Sequence, residues 1–77
     1  MKQLKKALKA LGFVIVKDNE VSMIVSYLGN PLKIMKTKKG ITVDGGFFRI
    51  EKETSREIVD LIKEWILLLP INMEANN

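Results

Sequence analysis

The stretch Val21-Ser22-Met23-Ile24-Val25-Ser26-Tyr27-Leu28-Gly29-Asn30-Pro31-Leu32-Lys33-Ile34-Met35 decides the fold of this 77-residue chain. On either side of Gly29-Asn30, successive side chains alternate between two faces, as they do in a β-strand. Gly29-Asn30 itself is typical of two-residue hairpin loops. A loop at residues 29–30 places apolar side chains opposite one another on both faces of the hairpin. The predicted cross-strand pairs are Tyr27–Leu32, Val25–Ile34 and Ile24–Met35. We therefore predict an antiparallel sheet built around strands at residues 21–28 and from Pro31 onwards.

Shorter strand patterns on both sides extend this hairpin into a meander of about five strands. Residues 13–17 are rich in β-branched residues and end at the turn residues 18–20. Residues 38–40 form the next predicted turn, in which Gly40 suits a left-handed position. The remaining strands are predicted at residues 41–43 and 47–51, separated by a tight turn at Asp44-Gly45-Gly46.

A short amphipathic helix is predicted at residues 2–11, because Leu4, Leu8 and Leu11 recur on one side of it. Gly12 follows at the position where a left-handed residue ends a helix.

The C-terminal segment predicts a longer helix. Thr54 and Glu57 have the spacing of a capping box, in which each side chain accepts a hydrogen bond from the other residue's backbone N–H. Pro70 predicts that the helix has already ended before it. The apolar stripe of this helix comprises Ile58, Leu61, Ile62, Trp65, Ile66 and Leu69.

The predicted fold class is α+β, in the order αβββββα, with one domain at residues 1–71 and a frayed polar tail at residues 72–77. Both faces of the predicted sheet are partly apolar. Two arrangements therefore remain open: each helix covers one face, or both helices cover the same face and another copy closes the second.

The composition argues against most kinds of active site. The chain has no cysteine and no histidine, which removes thiol nucleophiles, disulfides and the usual general base near neutral pH. Four acidic residues are close enough in sequence to suggest a metal site: Asp44, Glu51, Glu53 and Glu57. We interpret them instead as a turn former, strand-end charges and a capping residue. We predict no catalytic residues, no metal, no cofactor and no small-molecule substrate, and therefore no enzyme.

The longest apolar run, residues 65–69, is too short to span a bilayer. We accordingly expect no membrane span and a cytoplasmic location. The absence of histidine and cysteine, together with many Lys, Glu and Ile residues, favours a thermophilic origin.

The net charge of +4 is distributed unevenly. Residues 1–17 carry +5 and residues 31–52 carry +4, whereas residues 18–30 carry −2 and residues 53–77 carry −3. A basic hairpin followed by an aromatic residue is one pattern of phosphate and base recognition. The candidate nucleic-acid contacts are Lys33, Lys36, Lys38, Lys39, Phe47 and Arg49. The alternative is that lysines at turns and sheet edges prevent aggregation of strands.

The first helix carries a second basic patch, formed by Lys2, Lys5, Lys6 and Lys9. It is interpreted either as a surface for nucleic acid or anionic lipid or as an ordinary solvated helix face, and the second interpretation is favoured.

The last helix has more apolar residues than one stripe requires. Val59, Leu67 and Leu68 fall outside the stripe, and a helix that is apolar on more than one side is sandwiched or lies at an interface. Together with Trp65, these residues are the candidate partner interface.

The segment Ala7-Leu8-Lys9-Ala10-Leu11-Gly12-Phe13, followed by a meander and a closing helix, resembles small proteins of double-stranded-RNA-binding topology, including the HicA-type toxin ribonucleases. In that family a catalytic histidine lies within a Gly-Ser-His motif. The nearest stretch here is Val21-Ser22-Met23, so the ribonuclease activity does not carry over.

The sequence thus predicts a small non-catalytic interaction or regulatory protein that forms a homodimer and binds a protein partner. The alternative is a nucleic-acid-binding protein that uses the basic hairpin and the first helix.

Overall fold

The computed structural model describes the backbone of residues 1–75 and the side chains of residues 1–69. Its elements are α1 (Lys2–Ala10), β1 (Val14–Asp18), β2 (Ser22–Tyr27), β3 (Asn30–Thr37), β4 (Gly40–Asp44), β5 (Arg49–Lys52) and α2 (Ser55–Ala75). The strands form one antiparallel sheet in the order β1-β2-β3-β4-β5. The predicted α+β meander with a helix at each end is confirmed.

The central hairpin forms, but its loop lies one residue earlier than predicted. Leu28 and Gly29 are the loop residues, with φ values of +51° and +81°. Positive φ at both loop positions is the type I′ geometry, which favours glycine at the second position. Val25 consequently pairs with Leu32, Met23 with Ile34 and Ile24 with Lys33. The predicted register is wrong by two positions, which preserves the parity of the strands and therefore the face on which each side chain lies.

The β4–β5 hairpin also differs from the prediction. Phe47 and Phe48 belong to the loop, and β5 begins at Arg49. Gly40 has a positive φ of +148°, which favours glycine as predicted, although the value is larger than that of the left-handed helical region. A Cβ atom at Gly40 would lie 2.2 Å from the carbonyl oxygen of Lys52. Gly40 is therefore required by a close approach of two backbones, which the local turn pattern does not reveal.

Helix α1 ends as predicted. Gly12 has φ +101°, its N–H donates to the Lys9 carbonyl over 3.1 Å, and the Phe13 N–H donates to the Leu8 carbonyl over 3.0 Å. This pair of bonds is the Schellman motif. It satisfies carbonyl groups at the helix end and directs Phe13 towards the core.

At the start of α2 one half of the predicted capping box forms. The Glu57 N–H donates to the Thr54 hydroxyl over 3.2 Å. The Glu57 carboxylate, however, accepts from the Thr54 hydroxyl over 3.0 Å; the predicted bond to the Thr54 backbone N–H is replaced by this contact between side chains.

The prediction that α2 ends before Pro70 is wrong, because the helix continues to Ala75. Proline removes one intrahelical hydrogen bond and crowds the preceding turn, at a cost of about 3 kcal/mol, but its own φ is helical and permits the helix on both sides. The predicted polar tail, residues 72–77, overlaps α2 up to Ala75; residues 76–77 lie outside the described residues.

Within the described part of the chain, no helix is long and apolar enough to cross a bilayer.

Both helices pack on the same face of the sheet. The core includes Leu4 and Leu8 of α1 and Ile58 and Ile62 of α2, all at most 1% exposed. They pack against the sheet residues Phe13, Met23, Val25, Leu32, Ile34, Ile41 and Val43. The described elements leave the opposite face uncovered, which decides between the two predicted arrangements of the helices. Closure of that face by another copy stays a prediction.

Candidate protein-interaction site at the end of the second helix

The outer face of α2 changes from polar to apolar along its length. Arg56, Glu57, Asp60, Lys63 and Glu64 are all exposed, as expected for the solvated side of an amphipathic helix. One turn further on, that side carries Leu67, which is 70% exposed, and Leu68, which is 57% exposed. Two adjacent exposed leucines on a helix whose core stripe is already complete are unusual for a solvated face.

Two loops bring further apolar side chains to the same end of the molecule. Leu28 of the β2–β3 loop is 66% exposed and Phe47 of the β4–β5 loop is 103% exposed. Both loops lie at this end because alternate turns of an antiparallel meander share one end of the sheet. We define the apolar end of the molecule as the four residues Leu28, Phe47, Leu67 and Leu68.

Leu28 also has an unfavourable backbone conformation. Its φ of +51° is unusual for a residue other than glycine, and a left-handed leucine costs about 1–2 kcal/mol. An exposed leucine in an unfavourable conformation gives the folded monomer little packing energy in return. Backbone strain of this kind occurs preferentially at functional sites.

The β4–β5 loop turns its two phenylalanines in different directions. The Gly45 N–H donates to the Phe48 carbonyl over 3.0 Å, and the Gly46 N–H donates to the Asp44 carboxylate over 2.9 Å. The Phe48 ring lies against Gly45, where a Cβ atom would come within 2.4 Å of the ring. Phe48 is therefore held over the core, whereas Phe47 lies in solvent.

An apolar cleft of about 180 Å³ lies beside Phe48. Helix α2 follows β5 and contacts β4 and β5, whereas its Trp65 stacks on Phe13, just before β1, with ring centroids 6.2 Å apart. The helix therefore crosses the sheet obliquely. One corner of the core face thus remains incompletely covered. The cleft is lined by Leu32, Val43, Phe48, Ile50, Leu61, Ile62, Glu64, Trp65 and Leu68.

The structure separates the four residues of the candidate partner interface. Val59 and Trp65 are partly buried and pack against the core, whereas Leu67 and Leu68 are exposed. The sequence pattern predicts neither the exposed Leu28 nor the cleft, and it predicts Phe47 only as a candidate nucleic-acid contact. An aromatic pair immediately after Gly45-Gly46 was the available signal, but the strand pattern assigned Phe47 to β5.

The six candidate nucleic-acid contacts do not form one stripe. Lys33 and Arg49 lie on the uncovered face of the sheet, on either side of Asp44. Lys36 lies on the helix side, in a depression shared with Lys2 and Ser55. The other members lie at opposite ends of the sheet: Lys38 and Lys39 in the β3–β4 loop and Phe47 in the β4–β5 loop.

On the uncovered face, the strand register aligns Lys17, Ile24, Lys33, Asp44 and Arg49 in one row across the sheet. Ile24 separates the cations Lys17 and Lys33 in this row, and the Asp44 carboxylate lies between Lys33 and Arg49.

In the first helix, Lys5 forms an ion pair with Asp18, which reduces the charge of the second basic patch.

Asp44 and Glu51 make hydrogen bonds that stabilise the fold, as Glu57 does at the start of α2. Asp44 accepts the Gly46 N–H over 2.9 Å, and Glu51 accepts from the Thr37 hydroxyl over 3.1 Å. Among the residues that the structure describes, there is no group of three or more potential metal ligands.

No family model, no curated protein and no solved structure matches this chain. The resemblance to double-stranded-RNA-binding topology is thus not supported by these comparisons.

Proposed function

We propose that this chain is a small non-catalytic interaction protein that self-associates through its apolar end and, once assembled, binds the surface of a protein partner. The observation that carries the proposal is the change in the outer face of α2, from charged residues up to Glu64 to exposed Leu67 and Leu68. Leu28 and Phe47 add two more exposed apolar side chains at the same end of the molecule. Clustered exposed apolar side chains mark interaction surfaces, whereas isolated ones are ordinary.

The size of the chain supports self-association. A domain of this length buries only about 60% of the surface of its unfolded chain, so burial between copies adds substantially to its stability. The uncovered sheet face, which carries half-buried Ile24 and Met35, is a second surface on which a protein partner would bind.

The test is a double substitution, Leu67→Lys with Leu68→Lys. Lysine is a good helix former. At position 68 it lies four residues after Glu64, and this attraction offsets the repulsion between Lys63 and a lysine at position 67. The fold is therefore expected to survive while the interface acquires two charges per copy. Gel filtration coupled to light scattering at micromolar concentration should give a dimer for the wild type and a monomer for the variant.

The matched control is Val21→Lys. Val21 is 60% exposed and precedes β2, at the end of the sheet opposite Leu28 and Phe47. This variant should associate like the wild type. A wild-type chain that elutes as an 8.8 kDa monomer throughout the micromolar range would refute the proposed function.

A further inference from the structure

We propose that Phe47 of each copy inserts into the apolar cleft of the other copy. This inference rests on the proposed self-association and identifies the contact that produces it. Phe47 lies in a short loop fixed by the Gly45–Phe48 backbone hydrogen bond, and its side chain is 103% exposed. An aromatic side chain held in solvent by an ordered loop contributes nothing to the folded monomer by burial.

The cleft matches an aromatic side chain in size and chemistry. Its volume of about 180 Å³ is below the roughly 300–1,000 Å³ of pockets for drug-sized ligands, so one or two side chains fit better than a small-molecule ligand. Except for Glu64, every residue that lines it is apolar. Phe48 and Trp65 provide aromatic walls, against which a phenylalanine ring makes favourable tilted or offset contacts.

The relative position of Phe47 and the cleft favours a second copy of this chain as the occupant. Phe47 is adjacent in sequence to Phe48, which lines the cleft. A two-fold axis beside this loop would therefore make both insertions at once, which is the isologous, closed arrangement of most dimers. The chain's own Phe47 leaves the cleft open, because its ring is fully exposed.

The area that this contact would bury is that of a small interface. Two inserted phenylalanines remove roughly 300–500 Å² from water, since an aromatic side chain buries about 150–250 Å². The walls of the two clefts lose a smaller area, because each cleft is small, and the exposed parts of Leu67 and Leu68 add more. The total stays below the roughly 1,200 Å² of standard-sized interfaces, which is the range of weak, transient association.

The experiment compares the dimer dissociation constants of the wild type, Phe47→Ala and Val21→Ala by sedimentation equilibrium. We expect Phe47→Ala to weaken the dimer at least about tenfold, as truncation of a central aromatic anchor does, and Val21→Ala to have no effect. Leu61→Phe, which partly fills the cleft while Phe47 is retained, should weaken the dimer similarly. Circular dichroism checks that each variant is folded.

Trp65 provides an independent readout, because it is the only tryptophan and lines the cleft. Its emission should shift to longer wavelength when the wild type is diluted through its dissociation constant. In Phe47→Ala, the emission at high concentration should already resemble that of the dilute wild type.

The outcomes distinguish this inference from the proposed function. If the wild type dimerises and Phe47→Ala dimerises within about twofold of it, self-association stands and the insertion of Phe47 is wrong. If the wild type is monomeric throughout, both are wrong.

Discussion

At residue 28 the chain has a leucine with φ +51°, followed by Gly29 with φ +81°. The preferred sequence for this type I′ loop is Asn-Gly, since asparagine tolerates the left-handed conformation better than leucine does. The amide of Asn30 compensates in part by donating to the carbonyl oxygens of Tyr27 and Leu28 over 3.1 and 3.2 Å. The stability of the monomer alone therefore does not explain a leucine at this position, whereas a role in the apolar end does.

The substitution Leu28→Asn should accordingly have opposite effects on folding and association. We expect the free energy of unfolding to rise by about 1 kcal/mol, because asparagine adopts the positive φ of this position with less backbone strain than leucine. The dimer should become weaker, because an exposed apolar side chain is lost from its interface. Urea denaturation under monomeric conditions and sedimentation equilibrium measure the two effects separately.

Val21→Asn is the control for this change, since it removes an apolar side chain of similar exposure from the far end of the sheet. It should leave the dimer unchanged. A Leu28→Asn variant that loses stability as a monomer would contradict the assignment of strain to Leu28.

At the scale of elements, α2 holds the fold together and also carries the proposed interface. Ile58 and Ile62 complete the core on one side of the helix. Trp65 is only partly buried, but its ring stacks on Phe13, and Phe13 in turn packs on Tyr27 with ring centroids 5.1 Å apart. This aromatic series connects α2 to the end of α1 and to β2, so Trp65 fixes the oblique direction of the helix.

Trp65→Ala should therefore be among the most damaging single changes. Because the ring is partly exposed, we expect a loss near the lower end of the range for buried aromatic truncations, about 3 kcal/mol. For a domain of this size the melting temperature should fall by more than about 10 °C. Thermal unfolding followed by circular dichroism measures the effect.

Lys63→Ala, on the exposed side of the same helix, should change the stability by less than about 0.5 kcal/mol. A melting temperature of Trp65→Ala within two or three degrees of the wild type would mean that the aromatic series does not position α2.

At the scale of the whole molecule, the distribution of charge is relevant to the alternative function. The predicted basic hairpin is divided between two faces and two ends of the sheet, and Asp44 lies between Lys33 and Arg49. A phosphate-binding surface requires several cations along one path. We therefore expect only weak, non-specific binding of nucleic acid, caused by the net charge of +4.

This expectation is tested by titration with random-sequence duplex DNA and with single-stranded RNA at several salt concentrations. The wild type should bind with a dissociation constant no tighter than about 10⁻⁶ M at physiological salt. Replacing Lys36, Lys38 and Lys39 by Gln should change the affinity and its salt dependence only slightly. Submicromolar binding that the triple variant abolishes, with a salt slope reduced by roughly 0.9 per lost contact, would favour the nucleic-acid function instead.

The sequence by itself determined the features that depend on neighbouring residues. The alternation in residues 21–35, the glycine after α1 and the cap at Thr54 specify strands, a helix end and a helix start through local hydrogen bonds and side-chain periodicity. The element order could therefore be predicted correctly. Only the tertiary structure decided that the central loop lies at Leu28-Gly29, that both helices cover one face, and that Phe48 lies over the core while Phe47 lies in solvent. Each of these depends on contacts between distant parts of the chain, such as Trp65 with Phe13 and Gly40 with Lys52. The same long-range packing sets the oblique path of α2, which leaves the cleft open.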